Sequence, residues 1–472
     1  MRASGDLYAL GGKTDKGRQS NGGELPIYPR SRHREYLRVT RLAHGDRGGI
    51  EVAFEGHRFA SDGHWSLHRT LEGTLRASAE RKVSPIRQPG GAATPDGQPP
   101  PLRWAADLRD ATGLPAGRLL VERVGPWLRR AVVEIDRERT ATAPRGDGTG
   151  RGWREVFAEV GWRVEAIEDD AAVPPPPAGT WSDAEVHAAM LAWRAHADHD
   201  REWRFHVLCV GRLASTDRGL MYDAFASDSN NVPREGLALA SDWVYPDEEP
   251  WGRVRGMRFG DEPRTYFRTA VHELGHAMGL LHNPADDGYM TTTTAIARRA
   301  APGTFPDDLR WRFADDDALR LAHLPDPCVR PGGLPFVGAG AAEVSDADPA
   351  PPGLALAAAA VVPRFPLAAP VRVELALAHR GGEPLLAPCR PSLMGGHVRG
   401  RAIGPDGVAR RFLPLVRCTD DDELAPLAPG EERRHGLALL RGPDGALFPA
   451  PGDYRLEIEL RWTLGRRRVR LD

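Results

Sequence analysis

The sequence predicts a multidomain α+β protein, in which a central α/β unit lies between a small N-terminal β domain and a C-terminal β-sandwich. The chain has 472 residues, which is enough for about three domains of roughly 150 residues each. Alternating apolar and polar residues, typical of half-buried strands, occur towards both ends of the chain. In the middle, strand patterns alternate with helical patterns, which is typical of an α/β unit.

The N-terminal part of the sequence predicts a β domain preceded by an irregular segment. Residues 1–34 are rich in Gly, Ser and Arg, and we expect them to be poorly ordered. Residues 36–42 and 49–54 alternate across a Gly/Asp turn, which predicts an antiparallel pair of strands. We therefore expect a small β domain with a Pro-rich connector over residues 35–125, and nothing in it suggests chemistry.

The central domain is predicted over residues 126–327. Its strand patterns cover residues 130–136, 163–167 and 203–210. Its helical patterns cover residues 153–162, 182–197 and the closing stretch 305–324. Ser182 is the expected N-cap of the second helix, because Glu185 stands at the capping-box position.

One segment of this domain has the spacing of a metal site. His272 and His276 are four residues apart, so on a helix they share one face and can bind a single ion. Glu273 is adjacent and can accept a proton from a metal-activated water. Gly279 permits a sharp turn after the helix, which returns His282 as a third imidazole. Three nitrogen ligands and an open position are typical of catalytic zinc, whereas structural zinc usually has four protein ligands.

With Met290 eight residues after His282, this segment resembles the metzincin zinc peptidases, whose long zinc motif is followed by a methionine turn. The spacing is most similar to the matrixin branch and its bacterial relatives. The resemblance implies a zinc-dependent endopeptidase with one catalytic Zn²⁺ and a protein or peptide substrate. It also implies that Glu273 is the general base, that Gly279 shapes the site and that Met290 packs below the metal.

The resemblance further implies where a substrate would bind. In metzincins the edge strand before the zinc helix pairs with extended substrate, and residues 236–243 stand at that position; a plain edge strand is the alternative. Residues directly after Met290 would line the specificity pocket, although Thr292 departs from the proline that matrixins usually have there. The expected substrate contacts are Leu237, Ala238, Leu239, Ala240, Thr291 and Thr292.

Two further segments carry potential metal ligands. Oxygen ligands that could bind Ca²⁺ lie between residues 217 and 231, but they match no strict calcium-loop template, and a solvated loop is the alternative. These ligands are Asp217, Asp223, Asp228, Asn230 and Asn231. The segment His196-Ala197-Asp198-His199 resembles half of a second zinc site, but it precedes the third strand. Because matrixin ligands follow that strand, we expect an exposed helix end instead.

The C-terminal part predicts a linker and then a sandwich. Residues 328–365 are rich in Pro, Gly and Ala, which is typical of a linker. Short alternating strands with Pro and Gly between them predict an immunoglobulin-like β-sandwich over residues 366–472. Cys389 and Cys418 could form a disulfide or remain packed thiols. No cysteine precedes Cys209, so we expect any latency to use a mechanism other than the thiol latch of matrixin pro-segments.

Charge and hydropathy narrow the possible partners. A net charge of −2 provides no field that would recruit nucleic acid, and no apolar run approaches the roughly 18 residues of a membrane span. The resemblance implies a secreted or cell-envelope enzyme, yet the sequence shows no signal peptide, so localisation and oligomeric state stay open. Two other functions also remain open: a catalytically idle zinc-containing binding module, and a zinc hydrolase of a non-protein amide.

Overall fold

The computed structural model describes most of the chain, in the ranges 4–8, 30–45, 48–59, 65–78, 103–122, 126–195, 198–224, 229–283, 287–336, 339, 348–393, 397–412, 424–442, 445–464 and 467–472. Several predictions fall outside these ranges, namely those on residues 79–102, His196, Asp228 and Cys418. The protein is a mixed α+β structure in which strands form several separate sheets, which confirms the predicted fold class at that level.

The N-terminal sheet has six antiparallel strands that follow one another in chain order. They are β1 (Ser4–Tyr8), β2 (His33–His44), β3 (Ile50–Phe59), β4 (Trp65–Ala77), β5 (Arg103–Asp110) and β6 (Pro115–Glu122). Alternate residues such as Val52, Phe54 and Leu71 are buried in one small core, as period-two patterning requires. The expectation that residues 1–34 are poorly ordered is wrong for β1, because its backbone pairs with β2.

The central sheet has five strands in the order β10-β11-β9-β7-β8. They are β7 (Arg129–Arg137), β8 (Trp162–Glu168), β9 (Arg204–Val210), β10 (Gly219–Met221) and β11 (Gly236–Ala240). Strands β7, β8, β9 and β11 are parallel, whereas β10 pairs antiparallel with β11 and forms one edge. The parallel strands are largely apolar because both faces of such a sheet are covered.

Among the described residues, the helices that accompany this sheet include α1 (Trp153–Ala158), α2 (Asp183–Trp193), α3 (Pro263–Ala277), α4 (Thr293–Arg299), α5 (Asp315–His323) and α6 (Asp326–Val329). Ser182 caps α2 and Glu185 completes the capping box, as the sequence predicted. Helix α1 is shorter than its pattern suggested, because Gly161 adopts a φ of +78° and Trp162 already belongs to β8. None of the helices among the described residues is long and apolar enough to cross a membrane.

The predicted linker over residues 328–365 is wrong at both ends. Cys328, Val329, Phe336 and Ala339 are buried in the core of the central sheet and its helices. The guanidinium of Arg234, itself fully buried, donates to the carbonyl oxygens of residues 277, 327, 330 and 334. This tail therefore packs as part of the central unit, even though its composition is that of a linker.

The C-terminal strands begin at residue 348, within the same predicted linker. They are β12 (Asp348–Pro349), β13 (Leu354–Ala360), β14 (Val371–His379), β15 (Leu385–Pro388), β16 (Val398–Ile403), β17 (Ala409–Phe412), β18 (Leu424–Leu427), β19 (Glu432–Leu439), β20 (Arg441–Gly442), β21 (Gly445–Ala446), β22 (Arg455–Leu464) and β23 (Arg467–Leu471). A five-stranded sheet, β12-β23-β22-β16-β17, and a three-stranded sheet, β13-β14-β19, contribute side chains to one core. The unit is therefore built from two packed layers of strands.

Candidate metal centre

Helix α3 holds the predicted metal site inside the core. Its start is set by Glu262, whose carboxylate accepts a hydrogen bond from the Thr265 N–H (2.9 Å), and by Pro263 in the first turn. Every residue from Thr265 to Ala277 is buried. A helix this completely surrounded has little freedom to rotate or shift, so side chains on it are held in defined positions.

The chain turns sharply where α3 ends. Gly279 adopts a φ of +81°, a conformation that residues with a Cβ rarely adopt. A Cβ at this position would lie 2.4 Å from the Cys328 carbonyl oxygen. The Leu280 N–H donates to the Gly275 carbonyl (2.9 Å), which closes the turn in the manner of a helix C-cap. The chain then runs back past the helix and brings His282 to the two helical histidines.

The structure brings His272, His276 and His282 together, and we call them the imidazole cluster. The Nε2 of His272 lies 3.1 Å from the Nε2 of His276 and 3.1 Å from that of His282. The three ring centroids are 4.6 to 5.0 Å apart. One nitrogen of each ring therefore points at a common centre, which is the geometry that a single ion requires.

Hydrogen bonds from the outer Nδ1 atoms of two of these rings determine whether the inner Nε2 atoms can bind a metal. His272 Nδ1 donates to the Tyr289 carbonyl (2.7 Å), and His276 Nδ1 donates to the Leu280 carbonyl (2.8 Å). In neutral imidazoles this leaves a lone pair on each Nε2. Two lone pairs that face each other at 3.1 Å repel. A metal cation between them would accept both lone pairs and remove that repulsion.

The protonation and spacing of the cluster both suit a metal ion. Burial lowers the pKa of His272 and of His276 below the usual value, so the neutral, ligating forms are favoured. Nitrogens bound tetrahedrally to zinc at about 2.0–2.1 Å lie about 3.3 Å apart, close to the separation seen here. The residues present therefore fit a zinc ion.

Glu273 lies beside the cluster, under the edge strand β10. Its side chain is buried, and burial raises the pKa of Glu273 above the usual range. The Met221 N–H donates to its carboxylate. Gly219 passes so close that a Cβ there would lie 3.0 Å from Glu273 Cγ and 2.7 Å from Thr269 Cγ2. The absence of a side chain at position 219 is thus what allows β10 to lie over this carboxylate.

The floor of the site is formed by the segment around Met290. Met290 is fully buried, and a Cβ at Gly275 would lie 2.4 Å from its sulfur. The buried Arg268 guanidinium donates to the carbonyl oxygens of Gly288 and Thr291, which fixes this turn against α3. Met290 therefore lies directly under the helical turn that carries His272 and His276.

The predicted substrate strand is placed differently. Leu237, Ala238, Leu239 and Ala240 belong to β11, which lies between β10 and β9 and is completely buried. These four residues cannot contact a substrate, so the prediction that they form the edge is wrong. Among the described strands, the outer edge belongs to β10, which pairs antiparallel with β11.

The threonines after Met290 differ in burial. Thr291 is buried and donates to the Asn283 carbonyl (2.6 Å), so the prediction that it lines a pocket is wrong. Thr292 is half-buried and caps α4 by accepting from the Ala295 N–H. Thr294 is also half-buried and faces the start of β10, where Arg218 Nη2 lies 3.4 Å from its hydroxyl.

The candidate calcium ligands that the structure describes bind to different partners. Asp223 follows β10 and accepts from the Glu235 N–H, and Asn230 donates to the Glu235 carboxylate (2.6 Å), whereas Asp217 precedes β10 and is exposed. His199, expected on an exposed helix end, is instead buried and 2.7 Å from the Glu235 carboxylate.

His187, Asp223 and Glu235 form a second group of possible metal ligands. Glu235 is already bound by Arg194, His199 and Asn230. A cation here would compete with the Arg194 guanidinium, so this group is better explained as a structural polar network.

Two residues important for the site, Gly219 and Gly275, were not singled out from the sequence. Glycine at either position is explained only by contacts with residues distant along the chain, and the sequence carries no local signal for them. No family model matches the chain, and no curated protein matches it. The interpretation of the site therefore depends on its own geometry: three converging nitrogens, a buried carboxylate and an adjacent free strand edge.

Proposed function

We propose that this chain is a zinc-dependent endopeptidase of the metzincin type. The observation that carries the proposal is the imidazole cluster, in which the outer nitrogens of His272 and His276 are fixed by backbone carbonyls and the inner ones converge. Glu273, beside it, supplies the carboxylate that hydrolysis requires and that a purely structural site does not need.

The surrounding elements support the same assignment. Met290 lies next to Gly275 in the zinc-site helix, where a methionine turn would pack in a metzincin, and α5 follows as the helix we assign to the end of the domain. An antiparallel edge strand, β10, lies above the site. This is the combination of strand edge, zinc helix and methionine turn that we expect of a metzincin-like catalytic domain flanked by β domains.

In this proposal His272, His276 and His282 hold the ion through Nε2. A bound zinc ion supplies a Lewis acid, which lowers the pKa of water and polarises a carbonyl group. Glu273 accepts the proton of the attacking water as general base and then donates it to the leaving amine. Its burial, which raises the carboxyl pKa, makes it a better base than an exposed glutamate.

The edge of β10 would align the substrate. The Ala240 N–H donates to the Arg218 carbonyl (2.9 Å), and Gly219 is opposite Leu239 in the register. Because backbone groups alternate in an antiparallel ladder, Gly219 directs its N–H and C=O away from β11. An extended peptide can pair with this edge, which places its backbone next to Glu273.

The test is a proteomic cleavage profile combined with metal analysis for wild type, Glu273→Gln and Glu273→Ala. We expect wild type to bind one zinc and cleave peptides, and both variants to keep zinc but lose at least about a thousandfold in kcat/KM. Glu165→Gln, an exposed carboxylate on the opposite edge strand β8, is the matched control and should cleave as wild type does.

Other outcomes would favour the other functions that the sequence leaves open. Zinc binding without hydrolysis of any peptide or amide indicates an idle binding module. Hydrolysis of small amides but not of peptides indicates a hydrolase of a non-protein amide. Unchanged peptide cleavage in Glu273→Ala would refute the proposed role of Glu273 as general base.

A further inference from the structure

The strand β13 (Leu354–Ala360) is the outer strand of the sheet β13-β14-β19. Over residues 354–362 the chain contains only Leu, Ala and Val. Residues 357–360 are exposed, and beyond them Val361 is 60% and Val362 44% exposed. Because successive residues of a strand face opposite sides, both faces of this half of β13 reach solvent.

The other outer strands of the described sheets are protected against pairing with another chain. Those of four or more residues contain a charge in β1, β6, β8, β17 and β19 and a proline in β15 and β18. The remaining outer strands, β10, β12, β20 and β21, have two or three residues. Charges, prolines and short length all hinder further pairing at an exposed edge. The strand β13, with seven residues, has none of these features.

The backbone of β13 presents a regular set of hydrogen-bonding groups on its outer side. The Val361 N–H donates to the Arg372 carbonyl (3.0 Å), and the Gly353 carbonyl accepts from the Arg380 N–H (2.6 Å). In the register of β13 with β14, the odd-numbered residues therefore bond to β14. Because the direction of these groups alternates along an antiparallel strand, the even-numbered residues from 354 to 360 direct N–H and C=O away from β14.

A second copy of the same strand matches this edge by symmetry. With a two-fold axis at Ala357, Leu356 lies opposite Ala358 of the second copy and Leu354 lies opposite Ala360. Every even-numbered residue then faces another even-numbered residue, and such pairs exchange both N–H···O=C bonds, about eight bonds in all. The Leu354 N–H is 3.4 Å from the Pro351 carbonyl, a contact too long to compete. At the axis the two Ala357 residues meet with Cα atoms about 4.5 Å apart, which small side chains allow.

The charge of the molecule also favours pairing between two copies. Residues 354–362 carry no charge, so no like charges meet across the axis, whereas like charges directly opposite each other destabilise a strand pair. A net charge of −2 for the chain adds little long-range repulsion between copies. Seven residues on each side are fewer than the roughly 20–30 of a standard interface. We therefore expect a weak dimer, with a Kd of about 1–100 μM.

We propose that β13 is the interaction surface for a second copy of this chain. The two strands pair antiparallel about an axis at Ala357 and form one continuous sheet with three strands from each copy. Each copy uses its one unprotected edge among the described strands, so assembly closes at two copies. The inference is independent of the proposed peptidase function, because β13 packs on the core of the C-terminal strands.

Sedimentation velocity of the full chain at about 1–300 μM measures the association. We expect wild type to change from monomer to dimer over this range. Ala358→Pro removes an outward N–H and leaves the bonds to β14 in place, and it should raise the Kd of the dimer at least about tenfold.

A pair of charge variants tests the position of the axis. Ala357→Lys and Ala357→Glu should each weaken the dimer at least about tenfold, because identical charges then meet across the axis. An equimolar mixture of the two variants should dimerise again, since opposite charges pair. Misfolded variants would not regain association on mixing, so this recovery separates loss of the contact from misfolding. Val408→Lys, at a residue that is 49% exposed before β17, is the matched control and should dimerise as wild type does.

The outcomes that overturn the proposal are distinct. Wild type that stays monomeric up to about 300 μM has no such interface, and the edge is then open to an extended segment of another protein. A dimer that Ala358→Pro and Ala357→Lys leave unchanged uses another surface. Loss of association without recovery in the mixture, or growth beyond two copies, contradicts pairing about Ala357.

Discussion

At the scale of single residues, glycines decide where the three histidines and Glu273 can lie. His272, Glu273, His276 and His282 could be found from the sequence, because short spacings along one helix and its turn determine their relative positions. Gly275 could not, since its role depends on Met290, fifteen residues further along the chain. Local spacing thus predicted that the three histidines converge, whereas the contacts that position them are set by the fold.

Gly275→Ala should weaken the site. Alanine is a better helix former than glycine by about 1 kcal/mol, but its Cβ would lie 2.4 Å from the Met290 sulfur, and such overpacking typically costs about 1–3 kcal/mol. We expect lower zinc affinity and no gain in the free energy of unfolding, measured by chelator competition and urea denaturation.

Two comparisons check that reasoning. Gly436→Ala, at a strand position with no atom within 4 Å of an added Cβ, should leave zinc affinity unchanged. Adding Met290→Ala to Gly275→Ala should cost less than the sum of the two single changes, because the smaller side chain makes room. Additive costs would show that Gly275 and Met290 do not interact in this way.

At the scale of elements, the strand patterns predicted most strands but not their order in the sheet. Residues 203–210 and 236–243 were both recognised as strands, yet β11 was taken for the edge. Its five buried residues, Gly236–Ala240, are apolar because both faces of the sheet are covered there, and β10 and β9 pair with its two edges. Strand β10 is only three residues long, too short for a period-two pattern, so the true edge gave no signal.

The segment after α6 is a second element that was predicted wrongly, in this case because of its composition. Pro, Gly and Ala between residues 328 and 339 indicated a linker, but Arg234 fastens this segment to the end of α3 through hydrogen bonds to backbone carbonyls. Burial lowers the pKa of Arg234 to about 10, so the group remains charged near neutral pH. The carbonyls of Pro327 and Arg330 also accept backbone hydrogen bonds from the N–H groups of Leu334 and Gly333, so the contribution of Arg234 matters most for the carbonyls of Ala277 and Leu334.

Arg234→Met should therefore destabilise the central unit. Methionine keeps much of the volume but removes the Arg234 donor from the carbonyl oxygens of Ala277 and Leu334, which we expect to cost about 3 kcal/mol. The free energy of unfolding from urea denaturation measures this loss. Arg154→Met on the exposed face of α1 should change stability by no more than about 0.5 kcal/mol; equal values for the two variants would refute the assigned role.

At the scale of the whole molecule, the N-terminal sheet is joined to the central unit by polar groups that are mostly half-buried. Tyr8 donates to the Asp326 carboxylate (2.5 Å), and Tyr36 donates to the His323 carbonyl (2.5 Å). Asp6 lies 2.7 Å from His33 Nε2 and accepts from the Asp326 N–H. Sequence patterns could not foresee this junction, because its groups are some 300 residues apart along the chain.

This junction predicts a pH dependence of stability. Burial, together with the nearby Asp326 carboxylate, raises the pKa of Asp6 to about 6 from an ordinary value of 3.8. A raised pKa in the folded state means that the protonated acid is favoured there. Its contribution to stability is therefore full below about pH 4 and is lost as the pH rises through about 6.

Relative to Asp6→Asn, the free energy of unfolding of wild type should fall between about pH 4 and pH 6, by up to about 3 kcal/mol. Urea denaturation at a series of pH values measures the difference. Asp107→Asn, at a carboxylate that is 80% exposed in β5 of the same sheet, is the control and should follow wild type at every pH. Parallel curves for wild type and Asp6→Asn would contradict the assignment.

The central claim is that His272, His276 and His282 bind one zinc ion and leave a position open. X-ray absorption fine structure of the zinc-loaded protein measures this most directly. We expect one equivalent of zinc with three imidazole nitrogens at about 2.0–2.1 Å and one further light-atom ligand, and loss of this signal in His276→Ala. Four protein ligands, sulfur at the metal, or a spectrum unchanged by His276→Ala would contradict the account.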